Sequence, residues 1–155
     1  MTAAALKSAT HDIIVDEVFP HSAETIWKVV SDGRLMARWI MEPTGFEPVV
    51  GNRFTFKTTP AGAWDGIIRC EVLEVKPFER LVYAWKGGDK GNTGYGSPLD
   101  TIVSLTLSKA ETGTRLRLVH SGFVLPVNES AYQNMSKGWV VCVGRMRPVV
   151  DEQEG

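Results

Sequence analysis

Tyr83 and His120 are the residues whose chemistry and placement invite a functional reading. Tyr83 sits in the run Leu81-Val82-Tyr83-Ala84-Trp85, where alternation puts it on one face with Leu81 and Trp85. His120 ends the run Thr114-Arg115-Leu116-Arg117-Leu118-Val119-His120 and shares a face with Leu116 and Leu118. A phenol or an imidazole at the end of an apolar surface can orient a ligand carbonyl or hydroxyl. The imidazole would also serve as a general base if a carboxylate oriented it, but the sequence places none beside it. Satisfaction of both side chains by backbone groups or water stays open as the alternative.

The other reactive residue types are scattered. His11, His21 and His120 fall on different elements without ligand spacing, so no metal and no cofactor is expected. Ser121 has no base partner and no Gly-x-Ser-x-Gly context. Gly87, Gly88, Gly91, Gly94 and Gly96 punctuate a loop over residues 86–99 that lacks the phosphate-binding patterns. That loop reads as a mobile connector, with a lid over one pocket end as the second reading. Cys70 and Cys142 lie far apart without a Cys-x-x-Cys partner and read as free, buried thiols. Asn128-Glu129-Ser130 and Asn134-Met135-Ser136 read as chance sequons.

These residues need elements to hold them. His11 to Phe19 alternates as a strand, with Ile13, Val15 and Phe19 on one face and Ile14 and Val18 on the other. Both faces are partly apolar, so the inward one is not assigned. Ser22 N-caps a first short helix carrying Ile26, Trp27, Val29 and Val30, and Asp32 caps a second carrying Leu35, Met36 and Trp39. The apolar period then changes to two. Strands follow over 53–58, 66–75, 81–85, 101–109 and 114–120. In the 66–75 strand the apolar parity switches after Val72, and a bulge there would turn all of its apolar residues inward. Ser121-Gly122 reads as a turn that ends the last strand. A helix spans about Ser130 to Val150, with Met135, Trp139, Cys142, Val143 and Met146 at helical spacing. Pro148 reads as its fraying end and Asp151 to Gly155 as a solvated acidic tail.

Strands grouped between terminal helices describe an α+β fold. The 155 residues suit a single domain over 1–155, with an ordered core over about 11–148 and a short flexible N-terminus. A net charge of -1 gives no basic surface for a nucleic-acid partner. No apolar run reaches the roughly 20 residues of a membrane span, and the first residues lack a signal-type apolar region. A cytoplasmic protein is expected.

The ordered series of segments resembles the activator-of-Hsp90-ATPase-like family of the START/Bet v 1-like superfamily. The matching pieces are Phe19-Pro20-His21-Ser22-Ala23-Glu24-Thr25-Ile26-Trp27, Trp39, and Gly51-Asn52-Arg53-Phe54. Gly66 follows, then Glu74 through Trp85, Gly113-Thr114-Arg115-Leu116, His120-Ser121-Gly122-Phe123 and Gly138-Trp139. The resemblance implies a helix-grip fold. A curved antiparallel sheet would wrap a long C-terminal helix, with two short helices plugging one end and a small apolar ligand held between sheet and helix.

On inward parity and resemblance together, the expected ligand walls are Trp39, Phe54, Phe56, Ile68, Cys70, Tyr83, Trp85, Leu105, Leu118, His120, Met135, Trp139 and Val143. Tyr83 and His120 would be their polar anchors. Large aromatics bury ~150–250 Å² each, so the same set would equally fill a solid core. Binding of a small hydrophobic or aromatic molecule is the leading expectation. A contact with an Hsp90-type chaperone, through outward Arg69, Glu71, Arg115 and Arg117, is the second. A cyclase- or hydratase-like activity is the third.

Overall fold

The computed structural model describes residues 10–154. The expected flexible N-terminus, residues 1–9, and Gly155 lie outside the described residues. In chain order the elements are β1 (Thr10–Phe19), α1 (Ala23–Ser31), α2 (Gly33–Trp39), β2 (Arg53–Lys57) and β3 (Ile67–Lys76), followed by β4 (Arg80–Gly87), β5 (Leu99–Ala110), β6 (Gly113–Val124) and α3 (Glu129–Glu154). The six strands form one sheet in the order β1-β6-β5-β4-β3-β2, every neighbouring pair antiparallel. This is the expected α+β helix-grip architecture.

The two short helices start where their caps dictate. Ser22 Oγ accepts from the Thr25 amide, and Asp32 Oδ1 accepts from the Arg34 and Leu35 amides. Their apolar stripes bury Ile26, Val29 and Val30 on α1 and Met36 and Trp39 on α2. The Trp39 indole donates to the Val29 carbonyl, 3.2 Å away, which locks the pair together.

The sheet's inner face is set by period-two burial, and register carries it from strand to strand. Ile13 faces His120, His120 faces Val103, and Val103 faces Tyr83, which in turn faces Val72. In β1 the inward set is Ile13, Val15 and Phe19, while Ile14 is exposed.

Four expectations are corrected. The bulge in β3 falls after Val72 as expected, but it leaves Leu73 without a cross-strand partner and exposed. An extra bulge residue leaves the ladder, so Val75 regains the inner side and Leu73 does not. Ser121-Gly122 does not end β6. Gly122, at φ +103°, makes a bulge opposite His11 and Asp12, and the strand bends and continues to Val124.

Pro148 does not end α3 either, and the acidic end is no free tail. Val149 and Val150 beyond Pro148 are buried, and Asp151 and Glu152 stand in the last turn of the helix. Asp151 meets His21 Nε2 at 2.7 Å, and Glu152 holds Arg38 through two hydrogen bonds of 2.7 Å. Packing and ion pairs together override the lost backbone donor at Pro148.

Candidate functional site

The C-terminal half of α3 is tied down. Arg147 reaches Glu17 at 2.9 Å on β1, and the last turn grips the turn before α1 through Asp151 and α2 through Glu152. The N-terminal half spans the open side of the sheet over β3 and β4. There two adjoining chambers of about 270 Å³ and about 100 Å³ form one cleft. The larger is walled by Ile40 and Met41 beyond α2, by Ile68 and Trp85 on the sheet, and by Met135, Gly138, Trp139 and Cys142 of α3. The smaller lies under the loop after β4, between Trp64, Tyr95, Leu99 and Ala131. Thr58, Ile68, Trp85, Asn134 and Met135 border both.

No charged side chain lines either chamber. Two wider depressions, of about 590 and 620 Å³, are surface hollows rimmed by charges such as Arg34 and Glu47, or Arg69 and Glu71. They lack the uncharged, predominantly apolar lining of the cleft.

The loop at the end of the cleft is held in place rather than loose. Asn92 Nδ2 donates to the Ala61 and Gly96 carbonyls, Tyr95 Oη to Thr59 and Ser97 Oγ to Val127. Gly88, at φ +80°, lies so close to the Ser97 carbonyl that any side chain would collide with it. These contacts make the loop one wall of the smaller chamber. Asn128 is likewise structural. Its amide accepts from Val124 N and donates to the Pro98 carbonyl.

His120 does not reach the cleft. It is fully buried and both ring nitrogens are spent. The Trp139 indole donates to Nδ1 at 2.9 Å. Nε2 lies 2.7 Å from Thr101 Oγ1, whose own proton goes to the Trp85 carbonyl at 2.8 Å. Nδ1 is thus an acceptor, Nε2 a donor, and the ring is the neutral tautomer. Burial pushes its pKa down from 6.5 to about 3, because a charged imidazolium there would be desolvated. A ring so bonded has no lone pair to offer a substrate proton. It bridges α3 to the sheet.

Tyr83 is also sealed in. Burial drives its phenol well above the ordinary value, and its hydroxyl has no hydrogen-bond partner. Phe54 packs edge-on against it, with ring centroids 5.3 Å apart.

Of the thirteen expected wall residues, the structure brings Ile68, Trp85, Met135 and Trp139 to the cleft. Trp39, Phe54, Phe56, Cys70, Tyr83, Leu105, Leu118, His120 and Val143 border neither chamber and pack into the core. Parity reports which side of the sheet a residue faces. It does not report where along the strand the helix closes down.

Sequence reasoning missed Met41, Trp64, Tyr95, Gly138 and the exposure of Cys142 to the cleft. Helical spacing from Met135 leads to Gly138 and Cys142 and was the available signal for both. Cys142 is half-buried rather than buried, and its thiol pKa is raised by desolvation; that of Cys70 is pushed up to about 12. Both cysteines are free. No group of His, Cys, Asp and Glu among the described residues is arranged to hold a metal ion. No helix among them is long and apolar enough to cross a membrane.

A curved antiparallel sheet closed over a long C-terminal helix, with an apolar cleft at one end, defines a protein of the helix-grip class. The chain belongs to the family described as activator of Hsp90 ATPase homolog 1-like protein, whose model matches residues 20–151. Its fold matches that of protein MLL2253 from Mesorhizobium loti at 30% identity and a TM-score of 0.78, covering 92% of this chain and 98% of that one. CalU16 from Micromonospora echinospora shares the fold at 21% identity and a TM-score of 0.69, over 91% of this chain and 74% of the other. The Aha1 dimer from Colwellia psychrerythraea does so at 17% identity and a TM-score of 0.70, over 94% and 99%. No functionally curated protein matches the sequence.

Proposed function

We propose that this protein binds a small, uncharged apolar or aromatic molecule in the cleft between α3 and strands β3 and β4. One observation carries the reading: the chambers are walled by Ile40, Met41, Ile68, Trp85, Met135 and Trp139, with no charged side chain among their lining residues. Ligand sites run to ~300–1,000 Å³, so chambers of about 270 and 100 Å³ suit an occupant of one or two rings. A charged ligand would lose its hydration without gaining an ion pair.

The ionisable groups of the cleft support binding rather than turnover. They are the Cys142 thiol, whose pKa is raised, and Tyr95, whose hydroxyl is engaged with the Thr59 carbonyl. His120 is occupied in the core. Native mass spectrometry of gently purified protein tests the reading. A co-purifying neutral molecule, displaced by added naphthalene, is the expected result. A protein that is apo and takes up neither naphthalene nor other neutral aromatics contradicts it.

Family membership favours a second reading, contact with an Hsp90-type chaperone. The outer sheet face would supply it. Arg117 and Arg115 gather on Asp16 at 2.9 and 3.9 Å, and Arg69 meets Asp65 at 2.8 Å, all of them exposed. Stimulation of Hsp90 ATPase that is lost on Arg115→Glu and Arg117→Glu supports this reading, and absence of stimulation removes it.

A further inference from the structure

Three indoles border the cleft, and they differ in what their N–H groups do. Trp64 Nε1 donates to the Ile67 carbonyl at 3.1 Å. Trp139 Nε1 donates to His120 Nδ1 at 2.9 Å. Trp85 borders both chambers, is 3% exposed, and its Nε1 is buried without a hydrogen-bond partner. An unmatched buried donor costs ~1–3 kcal/mol; Tyr83 Oη shares that state, but of the two only Trp85 borders the cleft.

Its surroundings explain why the protein itself does not satisfy it. The ring is flanked by Phe56, His120 and Trp139, with centroids 5.4, 5.3 and 5.6 Å away. The histidine's ring nitrogens are both already committed. Ile68 and Met135 line both chambers together with Trp85, and neither side chain is a strong acceptor. Met135 is an unbranched, half-buried side chain that can move aside for an occupant.

We infer that the ligand carries a neutral hydrogen-bond acceptor, a ketone, aldehyde or quinone-type carbonyl, which takes the Trp85 indole proton at the inner end of the cleft. This rests on the cleft being a binding site and adds the chemical class of its occupant. Orientation follows: the carbonyl lies inward against β4, and the hydrocarbon part lies toward Met41 and the mouth at Asn134. A hydroxyl ligand could accept the same bond but would bring a buried proton needing its own acceptor, so the carbonyl is preferred.

A matched pair of probes separates the two levels of the claim. 2-Acetylnaphthalene and 2-isopropenylnaphthalene have nearly the same shape, and the first alone has the acceptor. Calorimetric titration of the wild-type protein is expected to show the ketone binding about tenfold tighter, the value of one net hydrogen bond to a buried donor. In Trp85→Phe, which keeps the aromatic wall and removes the N–H, the two probes should bind within about twofold of each other. In the wild-type protein, ¹⁵N-resolved proton spectra should show the Trp85 indole resonance moving downfield with the ketone and hardly moving with the alkene. That readout holds even if Trp85→Phe fails to fold. Equal binding of both probes, or a Trp85 indole signal that ignores the ketone, overturns the inference and leaves the cleft reading standing. Binding of neither probe overturns the cleft reading itself.

Discussion

The two ends of this protein's interior use the same sheet and the same helix to opposite effect. At the sealed end, Trp139, His120, Thr101 and the Trp85 carbonyl form one unbroken hydrogen-bond relay, with the Phe123 ring packed at a tilt, its centroid 4.6 Å from that of the imidazole. At the open end, α3 presents Ala131, Met135 and Gly138 to β3 and β4 across a gap. The residues that look most chemical, His120 and Tyr83, belong to the sealed end. The open end is chemically plain, and its one unspent interior donor among the described residues is Trp85. A buried polar group away from the hollow belongs to the scaffold, whether fully bonded like His120 or unpartnered like Tyr83. A hollow with an unmatched donor at its wall is where a ligand changes the energy.

The largest effect that would break this contrast is expected at His120. Replacing it by Ala strands the Trp139 indole and leaves a cavity, so thermal unfolding should show a loss of about 3 kcal/mol or more. If His120 were instead a ligand anchor, stability would hold and binding alone would fall.

Acid should act through the same ring. Its pKa is 6.5 when unfolded and about 3 when folded, so between these values the unfolded chain binds a proton that the native one excludes. The stabilising contribution of the neutral ring is complete above pH 6.5 and is lost as pH falls toward 3. The slope is about 1.4 kcal/mol per pH unit. Denaturant titrations from pH 7 to 5 should show it, and His120→Gln should flatten it.

Next comes a change confined to the open end. Gly138 borders the larger chamber, and a Cβ built there meets nothing within 4 Å. Gly138→Phe should occupy the cleft and weaken binding of neutral aromatic probes by about tenfold or more. Its stability should be unchanged or slightly raised, since a mid-helix glycine is itself unfavourable by ~0.5–1 kcal/mol.

The smallest effect is expected at Tyr83. Its hydroxyl is buried and unpartnered, so Tyr83→Phe should leave stability unchanged or raise it by about 1 kcal/mol, the low end of the cost of an unmatched buried donor, and leave probe binding alone. A large loss of binding would return Tyr83 to the role of a ligand anchor.

The fold was legible in sequence because period and caps are local. Ser22 and Asp32 cap the helices they announce, and the alternation through Leu116, Leu118 and His120 gives the inner face of β6. Where non-local energy decides, the reading failed. Pro148 stays helical because Val149, Val150, Asp151 and Glu152 are held by distant partners. Ser121-Gly122 looks like a turn, but β1 pairs across it and converts it into a bulge. The cleft was half legible. Ile68, Trp85, Met135 and Trp139 could be placed by parity and helical spacing, whereas Met41 arrives from the loop after α2, and Trp64 and Tyr95 from loops joined by Asn92 hydrogen bonds.

Methionine methyls offer the most direct test, since they report on both ends of the interior at once. Met41 and Met135 line the cleft, while Met36 and Met146 are sealed in the core at 0% exposure. With ¹³C-methyl methionine and naphthalene added in excess, the Met41 and Met135 resonances should shift under the aromatic ring while those of Met36 and Met146 stay in place. Absence of any shift, or shifts at Met36 and Met146 with Met41 and Met135 still, would contradict the account.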